Sequence, residues 1–240
     1  MFKGLMKMMR AGGMLPRVSD TERAALEAGT VWIDGEFFRG NPDFARLLAE
    51  PYPRLTPEEQ ALVDGPAREV CRRVDAWQLS VTRQLPDEVL QYLREQGFYG
   101  FNVPADYGGK PVGALAKSVI MGMLAPATGA VSTVVVIPNS LGPAELLAEY
   151  GTEEQKARYL PRLASGELTP CFGLTEPTAG SDAASIKAEA LVFRDDDGAL
   201  KLRLNFRKRY ITLAPIADIV SLAVQLHDPD NLLGKGERPG

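Results

Sequence analysis

The spacing of apolar residues in this chain changes type near residues 165–169, and this change most constrains the fold. Before it, apolar residues recur at helical spacing between helix start and stop signals. After Leu168, short β-like runs alternate with turn signals such as Asp195-Asp-Asp-Gly198. A block of helices followed by a block of strands favours an α+β fold. We therefore predict an N-terminal all-helical domain followed by an antiparallel β domain, which is incomplete at Gly240.

These patterns divide the 240 residues into three parts. Residues 1–18 form a basic, Met-rich N-terminal segment, residues 19–167 the helical domain, and residues 168–240 the truncated middle β domain. The β-like runs predict five strands, at residues 171–174, 188–193, 200–206, 210–213 and 219–226.

Local signals predict where several helices begin. Thr56-Pro57-Glu58-Glu59 supplies a cap, a first-turn proline and acidic residues, so a long helix is expected to run through Trp77, broken only at Gly65-Pro66. Pro86 is predicted to start another helix, and Thr152-Glu-Glu-Gln155 has the spacing of a capping box. Further predictions are a short helix at residues 22–28, a helix end before Gly97 and a loop at residues 100–109.

Residues 119–137 form an apolar run in the longest charge-free part of the chain, between Lys117 and Glu145. Hydropathy alone would identify this run as a membrane span. Pro126 and the glycines around it divide the run, however, and Pro138 closes it. We therefore predict two buried helical pieces on either side of a break.

Composition excludes several classes of protein. The chain has 27 Lys and Arg against 31 Asp and Glu, a net charge of −4, which gives no broad electrostatic footprint for nucleic acid. Cys71 and Cys171 lie too far apart in sequence for a zinc motif, so no metal site is predicted, and a reducing cytoplasm is expected. Lys7 and Arg10 interrupt the N-terminal segment, so it is not a secretory signal, although a weak contact with a membrane surface is compatible with it.

The loop after Cys171 is the most informative part of the chain for function. An apolar run ends at Leu174-Thr175, and a small-residue segment with hydroxyls follows as far as Asp182. Gly180 would let the backbone approach a flat or anionic ligand closely. On composition alone, an ordinary surface turn is the alternative.

Residues 159–182, which end in Phe172-Gly-Leu-Thr-Glu-Pro-Thr-Ala-Gly-Ser-Asp182, resemble the flavin-binding signature of the acyl-CoA dehydrogenase family. Gly151-Thr-Glu-Glu-Gln-Lys156 lies upstream and Lys208-Arg-Tyr-Ile-Thr212 downstream, in the order and at the spacing of that family. The resemblance covers nearly the whole chain and is greatest to the large bacterial fatty-acyl-CoA dehydrogenases of β-oxidation, which are much longer. It implies that the C-terminal helical domain of the family is absent from this sequence, and that the broken apolar run lines an acyl-chain pocket.

For the first flavin segment, the resemblance implies that Phe172, Leu174 and Thr175 lie along the ring of FAD. Gly180 and Ser181 are implied to meet the polar chain of the cofactor, with Ser181 also on the substrate side, near CoA. Thr175 is the strongest candidate, because a threonine at a rigid strand end holds an amide and a hydroxyl in fixed directions toward a flavin carbonyl. Without the resemblance, a threonine that only fills a strand position is the alternative.

In the second segment, Tyr210 stands where many family members have tryptophan. Its smaller ring is still expected to pack against the flavin. The resemblance implies that Thr212 hydrogen-bonds near flavin N5, the atom that receives hydride. From the residues alone, both would be ordinary strand residues.

No catalytic residue is assigned, since the family takes its base from the later C-terminal helical domain, and residues 1–240 alone are expected to be an inactive fragment. Glu176 stands beside the flavin loop, but a glutamate before proline in a turn is more often structural. His227 is predicted to be a surface residue, and Arg207-Lys-Arg209 a solvated strand edge.

The resemblance implies FAD-dependent dehydrogenation of acyl-CoA to trans-2-enoyl-CoA in fatty-acid β-oxidation, with an electron-transfer flavoprotein as the acceptor. A homo-oligomer is expected for the complete protein, and a cytoplasmic location with weak peripheral association at the inner membrane. Two alternatives stay open. A flavoenzyme of the same fold that resembles acyl-CoA oxidases would differ in the fast reaction of its reduced flavin with oxygen, and a non-catalytic truncated scaffold would not be yellow.

Overall fold

The computed structural model describes residues 33–140 and 142–234. The chain divides into two compact units between Pro53 and Arg54. In the first unit, helix α1 (Asp34–Arg39) and helix α2 (Phe44–Ala49) are described. The segment predicted at residues 1–18 and the helix predicted at residues 22–28 lie outside the described residues.

The second unit contains helices first and strands afterwards, as predicted. Its helices are α3 (Pro57–Leu62), α4 (Arg68–Arg73), α5 (Ala76–Thr82), α6 (Asp87–Glu95), α7 (Ala114–Ala127), α8 (Gly129–Val136), α9 (Pro143–Tyr150) and α10 (Glu153–Ala164). Its strands are β1 (Pro170–Gly173), β2 (Glu189–Arg194), β3 (Leu200–Asn205), β4 (Ile219–Leu222) and β5 (Gln225–His227). The α+β architecture is therefore confirmed.

The predicted capping signals form as hydrogen bonds. The Thr56 hydroxyl accepts from the Glu59 amide at 3.2 Å, and the Glu59 carboxylate accepts from the Thr56 amide at 3.0 Å. Thr152 and Gln155 make the same reciprocal pair at the start of α10. Each pair satisfies two amides that a helix start would otherwise leave without a partner.

The prediction of one long helix through Trp77 was wrong for the residues after Arg73. The chain passes Pro66 in a wider π-helical turn (Val63–Ala67), and α4 then ends at Arg73. Asp75 starts the separate helix α5, because its carboxylate accepts hydrogen bonds from the amides of Trp77 and Gln78 at 2.9 and 3.0 Å. Trp77 lies on α5 with 73% of its surface exposed, so it is not a core residue.

The apolar run forms two helical pieces, as predicted, but Pro126 lies inside the first of them and the break falls two residues later. Helices α7 and α8 are separated by Thr128, whose backbone is extended (φ −167°, ψ 134°) and whose hydroxyl caps α8. Leu124 on α7 and Val131 on α8 are fully buried. Within the described ranges, no helix has both the length and the apolar character that a membrane span requires.

Two apolar clusters hold the second unit together. The larger one lies between α4, α6, α7 and α8, with Val70, Leu93, Phe98 and Ile120 fully buried. The smaller one surrounds α10, and Ile219 of β4 packs against it. This contact attaches the first sheet to the helices.

The strands form two small sheets. β1 pairs in parallel with β4, whereas β2 lies between β3, which is antiparallel, and β5, which is parallel. The predicted antiparallel pairing is thus present in the β2–β3 hairpin, where the Asp195 carboxylate accepts from the Ala199 amide at 2.8 Å. The other two pairings differ because they join strands that are distant in the sequence.

Two strand predictions need correction. Residues 210–213 are not a strand, because Tyr210 (φ 56°) and Leu213 (φ 67°) adopt left-handed conformations and a 3-10 turn (Ala214–Ile216) follows. The strand predicted at residues 219–226 is two strands, β4 and β5, each paired in a different sheet.

Candidate functional site

Strand β1 leads directly into the predicted first flavin segment. Phe172, within the strand, and Leu174 and Thr175, just after it, are half-buried. The Thr175 carbonyl accepts from the Arg209 amide at 3.0 Å. The Thr175 amide and hydroxyl have no hydrogen-bond partner among the described residues, so both are available to a ligand.

A tight turn follows Thr175. The amides and carbonyls of Glu176 and Ala179 bond each other at 2.9 and 3.3 Å. Gly180 and Ser181 come next and are exposed, and a Cβ placed on Gly180 would have no other group within 4 Å. The backbone at Gly180 is therefore open to close approach by a ligand.

Glu176 is buried, with 6% of its surface exposed, and its carboxylate is fully engaged. Oε2 accepts from the Lys187 amide at 2.7 Å, and Oε1 accepts from the Ala188 amide at 3.0 Å and from Lys208 Nζ at 2.8 Å. The Lys208 ammonium, and after it the Lys187 amide, hold the pKa of the Glu176 carboxyl below its ordinary value. Such a group is a poor proton acceptor, which fits a structural role.

The interpretation of Arg207-Lys208-Arg209 as a solvated strand edge was wrong for Lys208. Only 5% of its side chain is exposed, and Nζ also donates to the Leu174 carbonyl at 3.1 Å. Arg207 and Arg209 remain on the surface. No local signal in the sequence distinguishes Lys208 from its two basic neighbours, because its burial depends on Glu176, which is 32 residues away.

In the second predicted segment, Tyr210 and Thr212 occupy different surroundings. Tyr210 is 79% exposed, and the Arg209 guanidinium lies over its ring, 4.0 Å from the centroid. Packing of Tyr210 against a flavin thus stays a prediction. Thr212 lies on the wall of a cavity, and the next residue, Leu213, packs against the larger apolar cluster.

That cavity has a volume of about 840 Å³, which is within the usual size range of small-molecule sites. Three parts of the chain form it: the α5–α6 region with Leu79 and Leu90, the start of α8 with Gly129 and Thr133, and the turn that contains Thr212. The start of α8, just after the break, therefore lines this cavity. That the cavity holds an acyl chain, as the resemblance implied, stays a prediction.

The structure brings two of the predicted site segments together and leaves a third apart. The Arg209–Thr175 hydrogen bond joins the first segment to the second, three residues before Thr212. Of the predicted cofactor-binding residues, only Thr212 lines this cavity; those outside its lining are Phe172, Leu174, Thr175, Gly180, Ser181 and Tyr210. His227 is exposed at the end of β5, as predicted.

Two further observations concern metal ligands and a cysteine in the described part of the chain. It contains no group of three or more His, Cys, Asp or Glu residues that could hold a metal ion. Burial raises the pKa of the Cys171 thiol, which keeps it neutral and unreactive.

The sequence matches the N-terminal domain of acyl-CoA dehydrogenases over residues 56–167 and the middle domain of the same enzymes over residues 171–236. The chain belongs to the acyl-CoA dehydrogenase family. The first match spans helices α3 to α10, and the second spans nearly all residues of the two sheets.

Individual relatives agree with this family. A probable acyl-CoA dehydrogenase of Mycobacterium tuberculosis is 32% identical over 77% of this chain and 28% of its own length. The caffeyl-CoA reductase–Etf complex subunit CarC of Acetobacterium woodii is 37% identical over 56% of this chain and 34% of its own length. The crystal structure of a Bacillus anthracis acyl-CoA dehydrogenase complexed with FAD superimposes with a TM-score of 0.60 at 27% identity, covering 71% of this chain and 29% of that one. The chain thus spans about a third or less of the length of these relatives.

Proposed function

We propose that this protein binds FAD and takes part in the α,β-dehydrogenation of an acyl-CoA in fatty-acid β-oxidation. The observation that carries the proposal is the hydrogen bond from the Arg209 amide to the Thr175 carbonyl. It places the open donors of Thr175 next to the segment whose Thr212 enters the 840 Å³ cavity.

The residues present fit FAD. A flavin ring needs hydrogen-bond donors at its carbonyl edge, and the Thr175 amide and hydroxyl have no other partner in the described ranges. The polar chain of the cofactor needs close backbone approach, which the open position at Gly180 permits. A relative of the same fold was solved as an FAD complex, which supports the same cofactor here.

When bound, FAD would accept the hydride that leaves the β-carbon while a base removes the α-proton. Thr175 and Thr212 would orient the ring by donating hydrogen bonds, and the apolar walls of the cavity, such as Leu79, Leu90 and Val134, would hold an acyl chain and exclude water. Glu176 is not proposed as the base, because its carboxylate already accepts three hydrogen bonds.

The proposed electron acceptor is an electron-transfer flavoprotein, in agreement with the relative that is named as a subunit of an Etf complex. The name of that relative also favours a second candidate, reduction of an α,β-unsaturated acyl-CoA at the same site. For the first candidate, acyl-CoA should bleach the absorbance of the oxidised flavin. For the second, enoyl-CoA should reoxidise flavin that has been reduced beforehand. Cytoplasmic location, a homo-oligomer and membrane-surface association stay predictions.

The first prediction concerns cofactor binding. The protein is expected to take up FAD and become yellow. Thr175→Val keeps the shape of the side chain but removes one donor, so FAD affinity should fall by about 0.5 to 1.5 kcal/mol, or roughly two- to tenfold. Titration of flavin fluorescence measures the dissociation constant.

A matched control is available just before β1. Thr169 is half-buried at the other end of β1, and Thr169→Val is expected to leave FAD affinity unchanged. A wild-type protein that does not bind FAD would contradict the proposed function. Equal affinity in wild type and Thr175→Val would remove Thr175 from the site.

A further inference from the structure

The Lys208–Glu176 ion pair differs from every other ion pair in the described ranges. Its Nζ–Oε1 distance is 2.8 Å, and both side chains are 5% exposed. In each of the other pairs at least one side chain has a third or more of its surface exposed, as in Lys201–Asp195 on the β2–β3 hairpin. The pair is therefore shielded from water and from salt.

This pair joins three segments that are separated in the sequence. Lys208 donates to the Leu174 carbonyl as well as to Glu176, and Glu176 accepts from the amides of Lys187 and Ala188. Beside the pair, the next residue, Arg209, donates its amide to the Thr175 carbonyl. The ends of the two predicted flavin segments are thus fixed to each other at two adjacent points.

Stability alone does not account for such a pair. Removing two charges from water is costly, and a buried ion pair can often be replaced by apolar residues of similar volume without loss of stability. The pair instead fixes the relative orientation of the two segments that it joins. An ammonium held between a carbonyl and a carboxylate allows few alternative positions of the two segments.

We propose that Lys208 and Glu176 are positioning residues for the flavin site, which hold Thr175 and Thr212 in the relative arrangement that binds the cofactor. The inference rests on the proposed function, because it assumes that these two segments bind FAD. Neither residue is proposed to touch the reacting atoms. Their carboxylate and ammonium are used by each other and by the backbone, which leaves the amide and hydroxyl of Thr175 as the open donors.

The test measures FAD affinity, backbone protection and stability in the same variants of the full chain. Lys208→Met should weaken FAD binding on the order of ten- to a hundredfold, because displacing Thr175 and Thr212 would weaken two hydrogen bonds that each contribute roughly two- to tenfold. It should also speed hydrogen exchange at the Arg209 amide, whose acceptor is Thr175. Lys208→Arg, which keeps the charge, should recover part of the affinity.

A double variant separates positioning from stability. Glu176→Gln together with Lys208→Met leaves no buried charge, so its midpoint of thermal unfolding should lie closer to wild type than that of Lys208→Met alone. Its FAD affinity should stay low. Recovery of both properties together would overturn the inference, since the pair would then act only through stability.

The matched control is Lys201→Met, which breaks the exposed Lys201–Asp195 pair in the same part of the chain. FAD affinity and hydrogen exchange at the Arg209 amide should not change in this variant, and a loss of affinity equal to that of Lys208→Met would overturn the inference.

If wild type binds FAD and Lys208→Met binds it equally well, the inference fails while the proposed function stands. Failure of wild type to bind FAD would overturn the proposed function, and the inference with it.

Discussion

Neighbouring residues at the end of β1 differ in how completely their polar groups are used. Glu176 has both carboxylate oxygens engaged, one by the Lys187 amide and the other by Ala188 and Lys208. Thr175, one residue earlier, has a free amide and a free hydroxyl among the described residues. Satisfied groups fix the backbone, and open groups are left for a ligand.

The engaged carboxylate of Glu176 predicts that the stability of the folded protein depends on pH. Lys208 and the backbone amides lower the pKa of the Glu176 carboxyl from its ordinary value of 4.5. A lowered pKa in the folded state stabilises the protein above the unfolded value and loses that contribution as the pH falls through the folded value. The midpoint temperature of thermal unfolding should be measured from about pH 7 down to about pH 3. We expect this temperature to decrease once the pH is lower than 4.5.

Glu176→Gln provides the comparison for this prediction. It cannot ionise, so it should be less stable than wild type at neutral pH, and the difference between the two should shrink as the pH falls. A difference that is constant across the pH range would show that ionisation of Glu176 does not contribute to stability.

At the scale of secondary-structure elements, local and distant signals have different roles. Helices α3 and α10 begin at capping boxes made by residues three apart, which the sequence shows directly. The end of α8 depends instead on Asn139. Its amide donates to the carbonyls of Phe98 and Val135 at 2.6 and 2.8 Å and accepts from the Phe101 amide at 2.8 Å. This side chain attaches α8 to the loop after α6.

Replacement of Asn139 should thus weaken the helical part of the molecule. Asn139→Ala removes these bonds and leaves partly buried backbone groups without partners, at an expected cost of about 2 kcal/mol or more. Urea unfolding followed by circular dichroism measures this loss. Asn205→Ala, an exposed asparagine at the end of β3, should change stability by less than about 0.5 kcal/mol. Equal effects of the two changes would contradict the structural role of Asn139.

At the scale of the whole molecule, the apolar surface is unevenly covered. Leu200, Leu202 and Leu204 of β3 are 46–54% exposed. Ala190 and Val192 of β2, their neighbours on the same face, are almost fully buried. An alternating apolar row on an edge strand is a surface that promotes association.

Self-association should therefore respond to charge on this row. Leu202→Lys and Leu204→Lys are expected to lower the fraction of oligomer or aggregate, as measured by sedimentation. A charge on the leucine row opposes burial of this face against another molecule. Asn205→Lys adds the same charge on the opposite face of β3 and should have little effect. Association that decreases equally in all three variants would be a consequence of net charge and not of the apolar row.

The sequence by itself determined the features that depend on nearby residues. Both capping boxes, the division of the apolar run around Thr128 and the Asp195–Gly198 turn are made by hydrogen bonds or backbone preferences within a few residues. The resemblance to the family also implied two flavin segments, and FAD binding by their residues stays a prediction.

Only the tertiary structure decided how distant segments meet. Lys208 and Glu176 are 32 residues apart, and the pairing of β1 with β4 joins residues 49 apart, such as Pro170 and Ile219, so neither contact follows from local pattern. The same contacts explain two errors. Lys208 is buried against Glu176, although a basic run was expected to be solvated. Residues 210–213 form a turn in which Leu213 packs on the helical core, although their β-branched and aromatic side chains had predicted a strand. Local hydrogen bonds are encoded by neighbours in the sequence, whereas burial and strand pairing depend on which parts of the folded chain exclude water together.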